Sequence, residues 1–212
     1  MQNGTAAATR GWMRTAMLAL LATLPLAGCS TLRDTQPPRT ANEQLLISTA
    51  ADHAADQLSL QLPPNAKIFV DTSNFDAIDA KYAIGTLRDR LAKQGALLVA
   101  DRKDADTVVE LRSGALSINQ RSMLIGLPSI PVPIPLAGTV TTPEIALYKK
   151  SDDEGVAKFA ATALDAKQGR LVAYAGPSYG FSHRTHYVLL FFISWTREDI
   201  IPEAAEPPDE PR

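Results

Sequence analysis

Apolar residues recur at three- and four-residue spacing in two early windows of the chain, and in alternation or short runs afterwards. Thr40-Ala41-Asn42-Glu43 opens the first window, with a threonine followed three residues on by a glutamate, the pairing that satisfies free amides at a helix start. This predicts a helix to about Leu60, with Leu46, Ala50, Ala54, Gln57 and Leu58 on one face and Asp52 and Asp56 elsewhere. Pro63-Pro64 forces a turn, and Lys67 to Val70 reads as a short strand. The second window, Asp79 to Gln94, places Ala83, Leu87 and Leu91 on one stripe before Gly95 stops the helix. Ala96 to Ala100 reads as a buried strand, and alternation through Val108, Glu110 and Arg112 predicts a third over Thr107 to Ile118.

The pattern changes at Met123. Leu124, Ile125 and Leu127 lead into Pro128, Pro131, Pro133 and Pro135, interleaved with Ile130, Val132, Ile134 and Leu136. Prolines at alternate positions remove ladder donors, so polyproline or edge geometry is expected rather than a central strand. Two placements stay open for this segment: an exposed ridge that docks a partner or touches a membrane surface, and a loop folded over the sheet. Glu144 to Lys150, Val156 to Ala166 and Leu171 to Ala175 read as strands separated by polar turns at Ser151 to Gly155 and Lys167 to Arg170. Tyr187 to Trp195 is apolar on both strand faces and is expected to be a covered core strand. The expected fold is therefore mixed α/β (α+β), a single domain with one βαβ-type crossover followed by an antiparallel meander.

Composition alters this picture mainly at the chain's front. Arg10 and Arg14, with no acid nearby, precede an apolar stretch from Ala16 to Leu24 and then Leu26-Ala27-Gly28-Cys29, the order of a secretory signal ending in a lipoprotein cleavage site. The stretch is shorter than the roughly 20 apolar residues that cross a bilayer. Cys29, the one cysteine in the chain, is the expected lipidation site, leaving no thiol for a disulfide, a thiolate metal site or cysteine catalysis. The 21 basic and 23 acidic side chains lose only Arg10 and Arg14 on cleavage, so the mature chain stands at about −4 with no basic stripe. That argues against nucleic acid. Residues 1–28 are thus a signal peptide, 29–40 a tether, 41–201 a periplasmic domain, and the proline- and acid-rich 202–212 a disordered tail.

Candidate chemistry is sparse. Gly176-Pro177-Ser178-Tyr179-Gly180 matches the G-x-S-x-G pattern, but His183 and His186 come before the downstream acids Glu198 and Asp199, the wrong order for that elbow. A hairpin turn is the competing account. The two histidines are too few for a zinc site, and His53 reads as a rim residue. Asp101, Asp104 and Asp106 miss the calcium-loop register and read as a solvated turn balanced by Arg102 and Lys103. A non-enzymatic protein without cofactor or metal is expected, with a serine hydrolase at Ser178 as a further alternative.

Pro38 to Leu46, Glu110 to Leu116, Thr142 to Lys150 and Tyr179 to His183 resemble an uncharacterised family of Gram-negative lipoproteins carrying a domain of unknown function. More distantly, the helix-strand-helix-strand order is similar to the curli secretion channel lipoprotein and to lipoprotein activators of peptidoglycan synthases. The resemblance implies a lipoprotein address and supplies no catalytic residues. By similarity to known lipoproteins, Ser30 after the cysteine favours the outer membrane, in its periplasm-facing leaflet. The resulting expectation is a membrane-anchored envelope protein that binds a protein partner as an accessory or assembly factor, with Leu124, Ile125, Leu127, Ile130, Val132, Ile134 and Leu136 as its interaction surface. The alternative is an oligomeric structural or export component.

Overall fold

The computed structural model describes residues 39–134 and 138–200. Cys29, Leu136, the expected signal peptide, most of the expected tether and the expected tail lie outside the described residues.

Helix α1, Ala41–Gln57, starts where the capping box places it: the Thr40 hydroxyl accepts from the Glu43 amide and the Glu43 carboxylate accepts from the Thr40 amide. Strand β1, Lys67–Asp71, leads into helix α2, Ala80–Lys93, which buries Ala83, Leu87 and Leu91. Strand β2 is only Leu97–Leu98. A 3-10 turn at Arg102–Asp104 then precedes β3, Thr107–Leu127. Next come the short strands β4, Pro131–Ile134, and β5, Gly138–Thr141. Two long strands follow, β6, Ile145–Asp165, and β7, Leu171–Leu189, and β8, Ile193–Glu198, ends the series.

The main sheet has the order β2-β1-β3-β6-β7-β8, with β2, β1 and β3 parallel and the rest antiparallel. This corrects the expected α+β architecture. Strands hold 52 % of the described residues and helices 21 %, in a curled six-stranded mixed sheet with two helices. The crossover is a small appendage, because β2 contributes two residues and β1 pairs with β3 only over Thr107 to Glu110. The mass of the sheet is the β3-β6-β7 ladder, whose 21-residue strands run about 70 Å at 3.3 Å per residue.

The expected turn at Ser151 to Gly155 does not exist; β6 passes straight through it. Its polar residues are satisfied across the strands instead. The Thr185 hydroxyl donates to Asp152 at 2.8 Å, Asp153 lies opposite Arg184, and Glu154 lies opposite His183. The expected hairpin at Gly176 to Gly180 is also absent: β7 continues, and Gly176-Pro177 form a bulge between the partners of Phe159 and Ala161. Proline is tolerated there because β8 pairs only with Arg184 to Leu189, leaving that part of β7 an edge.

Both helices contribute to one core on one face of the sheet. Ala50, Ala54, Leu58, Leu87 and Leu91 meet Val109, Leu111, Ala157, Phe159 and Ala161. The approach of α1 is close because Gly155 and Gly180 face it. A Cβ on Gly180 would fall within 3.0 Å of the Ala50 carbonyl oxygen and the Ala54 nitrogen. Gln57, expected on the apolar face, is exposed.

Candidate functional site

Beyond about Asn119, the sheet leaves its helical cover and becomes an arm built from the far halves of β3 and β6, the end of β7, and β8. Register places Met123, Lys150, Tyr187 and Trp195 in one row across it, and Ile125, Tyr148, Leu189 and Ile193 in the row two residues on. Rows two apart share a face, so these residues lie together on the side away from the helices. Tyr187 and Trp195 stack at 5.1 Å with an interplanar angle of 11°. The opposite face carries Ser122, Ser151, His186 and Thr196 in one row and Leu124, Lys149, Val188 and Ser194 in the next.

Between the apolar rows and the body, the outer face is polar. Asn119, Arg121, Lys150, Asp152, Glu154, His183 and Thr185 line a shallow cavity of about 310 Å³. The His183 ring lies 3.3 Å from Asp199 and 3.5 Å from Glu154. Lys150 donates to Asp152 at 2.7 Å, which holds the carboxyl below its usual pKa of 3.8 and raises the Lys150 ammonium above 10.5. The Thr185 hydroxyl further lowers Asp152.

The arm ends in two apolar turns. Pro128 and Pro143 interrupt the ladder on both sides, so β4 and β5 form a separate two-stranded sheet held by the Thr142 amide donating to the Ile130 carbonyl. Pairing of Val132 with Val140 and of Ile134 with Gly138 gathers Ile130, Val132, Ile134 and Val140 on one face, all exposed. The other turn is Leu190 to Phe192, with Leu190 and Phe191 left-handed at φ 49° and 56°. Tyr187 to Trp195 is therefore not the expected covered core strand. It is two strand ends and an exposed turn, with Phe191 and Phe192 64 % and 69 % exposed.

Of the expected interaction residues, Ile125, Leu127, Ile130, Val132 and Ile134 are exposed, while Leu124 is half-buried on the helix-side face. The segment is strand and hairpin rather than polyproline or a loop over the sheet. Tyr148, Tyr187, Leu189, Ile193 and Trp195, which complete the outer face, were not legible as members of it. Their period-2 signal exists, but Leu190-Phe191-Phe192 merges two strands into one apolar run.

Ser178 is buried inside β7 and donates to the Phe159 carbonyl at 3.4 Å. His183 and His186 point to opposite faces, three residues apart on one strand. His53 Nδ1 sits 2.7 Å from the Phe181 carbonyl, joining α1 to β7. Among the described residues, no three His, Cys, Asp or Glu side chains group to hold a metal. Asp101 pairs with Lys103 at 3.8 Å, and Arg102 with Asp71 at 3.7 Å. Between the helices, Asp52 accepts from Tyr82 at 2.9 Å and from Thr86 at 3.0 Å; burial first, then this carboxylate, raises the Tyr82 pKa. Among the described residues, no helix is long and apolar enough to cross a membrane.

The chain belongs to the family of unknown function DUF6655, whose profile matches residues 23–189. The match ends at the last residue of β7, leaving β8 and Trp195 beyond it. No curated protein matches the chain in sequence.

Proposed function

We propose that this DUF6655 protein is a lipid-anchored cell-envelope protein, held through Cys29 in the periplasm-facing leaflet of the outer membrane, and that its arm binds a protein partner as an accessory or assembly factor without catalysis of its own. The observation that carries the reading is the outer face of the arm, where Met123, Ile125, Tyr148, Tyr187, Leu189, Ile193 and Trp195 lie together without helical cover. Grouped apolar and aromatic side chains bordered by a polar band have the anatomy of a protein-binding patch. The signal pattern before Cys29 supports the address.

Two measurements test it together. Globomycin-sensitive palmitate labelling is expected in the wild type and lost in Cys29→Ala, with the wild type fractionating to the outer membrane. A photo-crosslinker at Ile125 is expected to give one discrete adduct that the same crosslinker at Asp104, on the body, does not. Unlabelled wild type would remove the anchor, and equal crosslinking at both positions would remove the partner site.

One observation favours a second reading, an oligomeric structural or export component. β3 has no strand on its outer edge beyond Glu110 among the described residues, and β8 ends the sheet on the other side. Free edges can pair between copies. A discrete ring in mild detergent supports this reading, and a monomer removes it.

A further inference from the structure

We infer that the terminal β4-β5 hairpin is a membrane-contacting element that seats Ile130, Val132, Ile134 and Val140 in the interface of a lipid bilayer. The inference extends the anchored-protein reading above by assigning the occupant of the arm's tip, as distinct from its outer face.

An isolated two-stranded hairpin is marginal in water and needs a surface against its apolar side. Here that side is exposed, since the ladder break at Pro128 and Pro143 separates the hairpin from the main sheet. Its chemistry selects lipid over a strand-pairing protein. Hydrogen-bonded pairs alternate along an antiparallel ladder. With Ile130 and Thr142 bonded, the amide positions of 131 and 133 face the outer edge of β4. Both are proline. The β4 edge therefore presents no donor to template another strand, and the outward amides of the hairpin are confined to Thr139 and Thr141 on the β5 edge.

The side-chain inventory agrees. From Leu127 to Pro143, the hairpin and its flanks, the chain carries no charged residue and no Tyr, Trp or Arg, the types that anchor protein interfaces. Charges resume behind it with Arg121, Glu144, Lys149 and Lys150. The faces of the hairpin divide in the same sense, aliphatic on one side and Thr139 and Thr141 on the other. The neighbouring turn keeps Leu190 and Phe191 in the left-handed region where glycine or asparagine would sit without strain, so bulky apolar groups are retained at a conformational cost.

Reach permits the same membrane to hold both contacts. Arg39 lines a small cavity with Gln120, which sets the level at which the tether leaves the body. Ten residue steps lead from Cys29 to Arg39, about 36 Å when fully extended. Along the arm, that distance from Gln120 ends at about Pro131, the base of the hairpin, at roughly 3.3 Å per residue.

The test uses the full protein purified from membranes and reconstituted in vesicles of phosphatidylethanolamine and phosphatidylglycerol. An environment-sensitive dye is placed by Val132→Cys or, as control, Asp104→Cys, and intact mass is read first. The expected result is an acylated protein whose dye at 132 is blue-shifted, quenched several-fold more by nitroxide lipids than the dye at 104, and protected from aqueous iodide. An acylated, vesicle-bound protein whose dye at 132 stays open to iodide overturns the inference and leaves the anchor intact. Protection from iodide without nitroxide quenching, with self-quenching between labelled copies, also overturns it in favour of a second copy. An unacylated protein that still floats with vesicles and buries position 132 keeps the inference and removes the anchor; one that does neither overturns both. Ile134→Asp, at an exposed position with no core contact, is expected to abolish the lipid quenching while leaving the far-ultraviolet spectrum unchanged.

Discussion

The Ser182 hydroxyl in β7, fully buried, donates to the Leu46 carbonyl of α1 at 2.6 Å, joining residues 136 positions apart. Leu46 is the first buried residue of the helix, so this bond ties the start of α1 to β7. Ser182→Ala is expected to lower stability by about 1 kcal/mol, the net worth of one such bond. A shift in the urea midpoint at unchanged slope checks it; no shift would show that packing alone sets the position.

Gly180→Ala is expected to cost more, about 1–3 kcal/mol, because the new Cβ meets helix backbone that cannot yield as a side chain tip can. Gly85→Ala is the contrast. Its Cβ meets nothing within 4 Å and its position is helical, so that change is expected to be neutral or stabilising. Thermal unfolding of the two variants decides.

Phe159 is buried on the helix-facing side of β6, with its ring 5.3 Å from that of Phe75. Truncation opens a cavity below the loop after β1, so Phe159→Ala is expected to cost about 3–5 kcal/mol. Phe192→Ala, at the exposed turn, is expected to change stability by less than about 0.5 kcal/mol. Equal effects would mean that the turn is packed in solution.

Asp71 and Asp152 both have pKa values below the usual 3.8. The Ser73 amide and hydroxyl hold the first down and Lys150 the second. A depressed folded pKa contributes stability above the unfolded value and loses it as pH falls through the folded one. The difference between wild type and Asp71→Asn or Asp152→Asn is therefore expected to be full at neutral pH, to begin to fall near the unfolded carboxylate value of about 4, and to be lost only once pH drops below the depressed folded value. Midpoints measured downward from pH 7 through the carboxylate range test this, and a difference that shows no decline below about pH 4 would assign the effect to the asparagine itself.

Thr40→Ala is expected to cost about 1 kcal/mol through loss of the cap. Thr40→Ser is expected to retain most of it. Helical amide exchange at the first turn is the direct readout, and equal protection in both variants would show that the helix end is held by packing.

Local signals decided the parts of this protein that depend on neighbours in sequence. The capping box at Thr40 and Glu43 and the stripe Ala83, Leu87 and Leu91 were legible because a helix closes its hydrogen bonds within four residues. So were the turn that follows Asp165 and the break at Pro63-Pro64. The uncharged run around Ile130 and Val132 was visible too, and with it the idea of an interaction surface. The arm was not. Ser151 to Glu154 carry turn chemistry locally, yet cross-strand partners at Thr185, Arg184 and His183 keep them in one continuous strand. Strand continuity, the bulge at Gly176-Pro177 and the grouping of Met123 with Trp195 depend on register between segments tens of residues apart. No local period encodes that register; only the folded sheet, with α1 seated on Gly155 and Gly180, selects it.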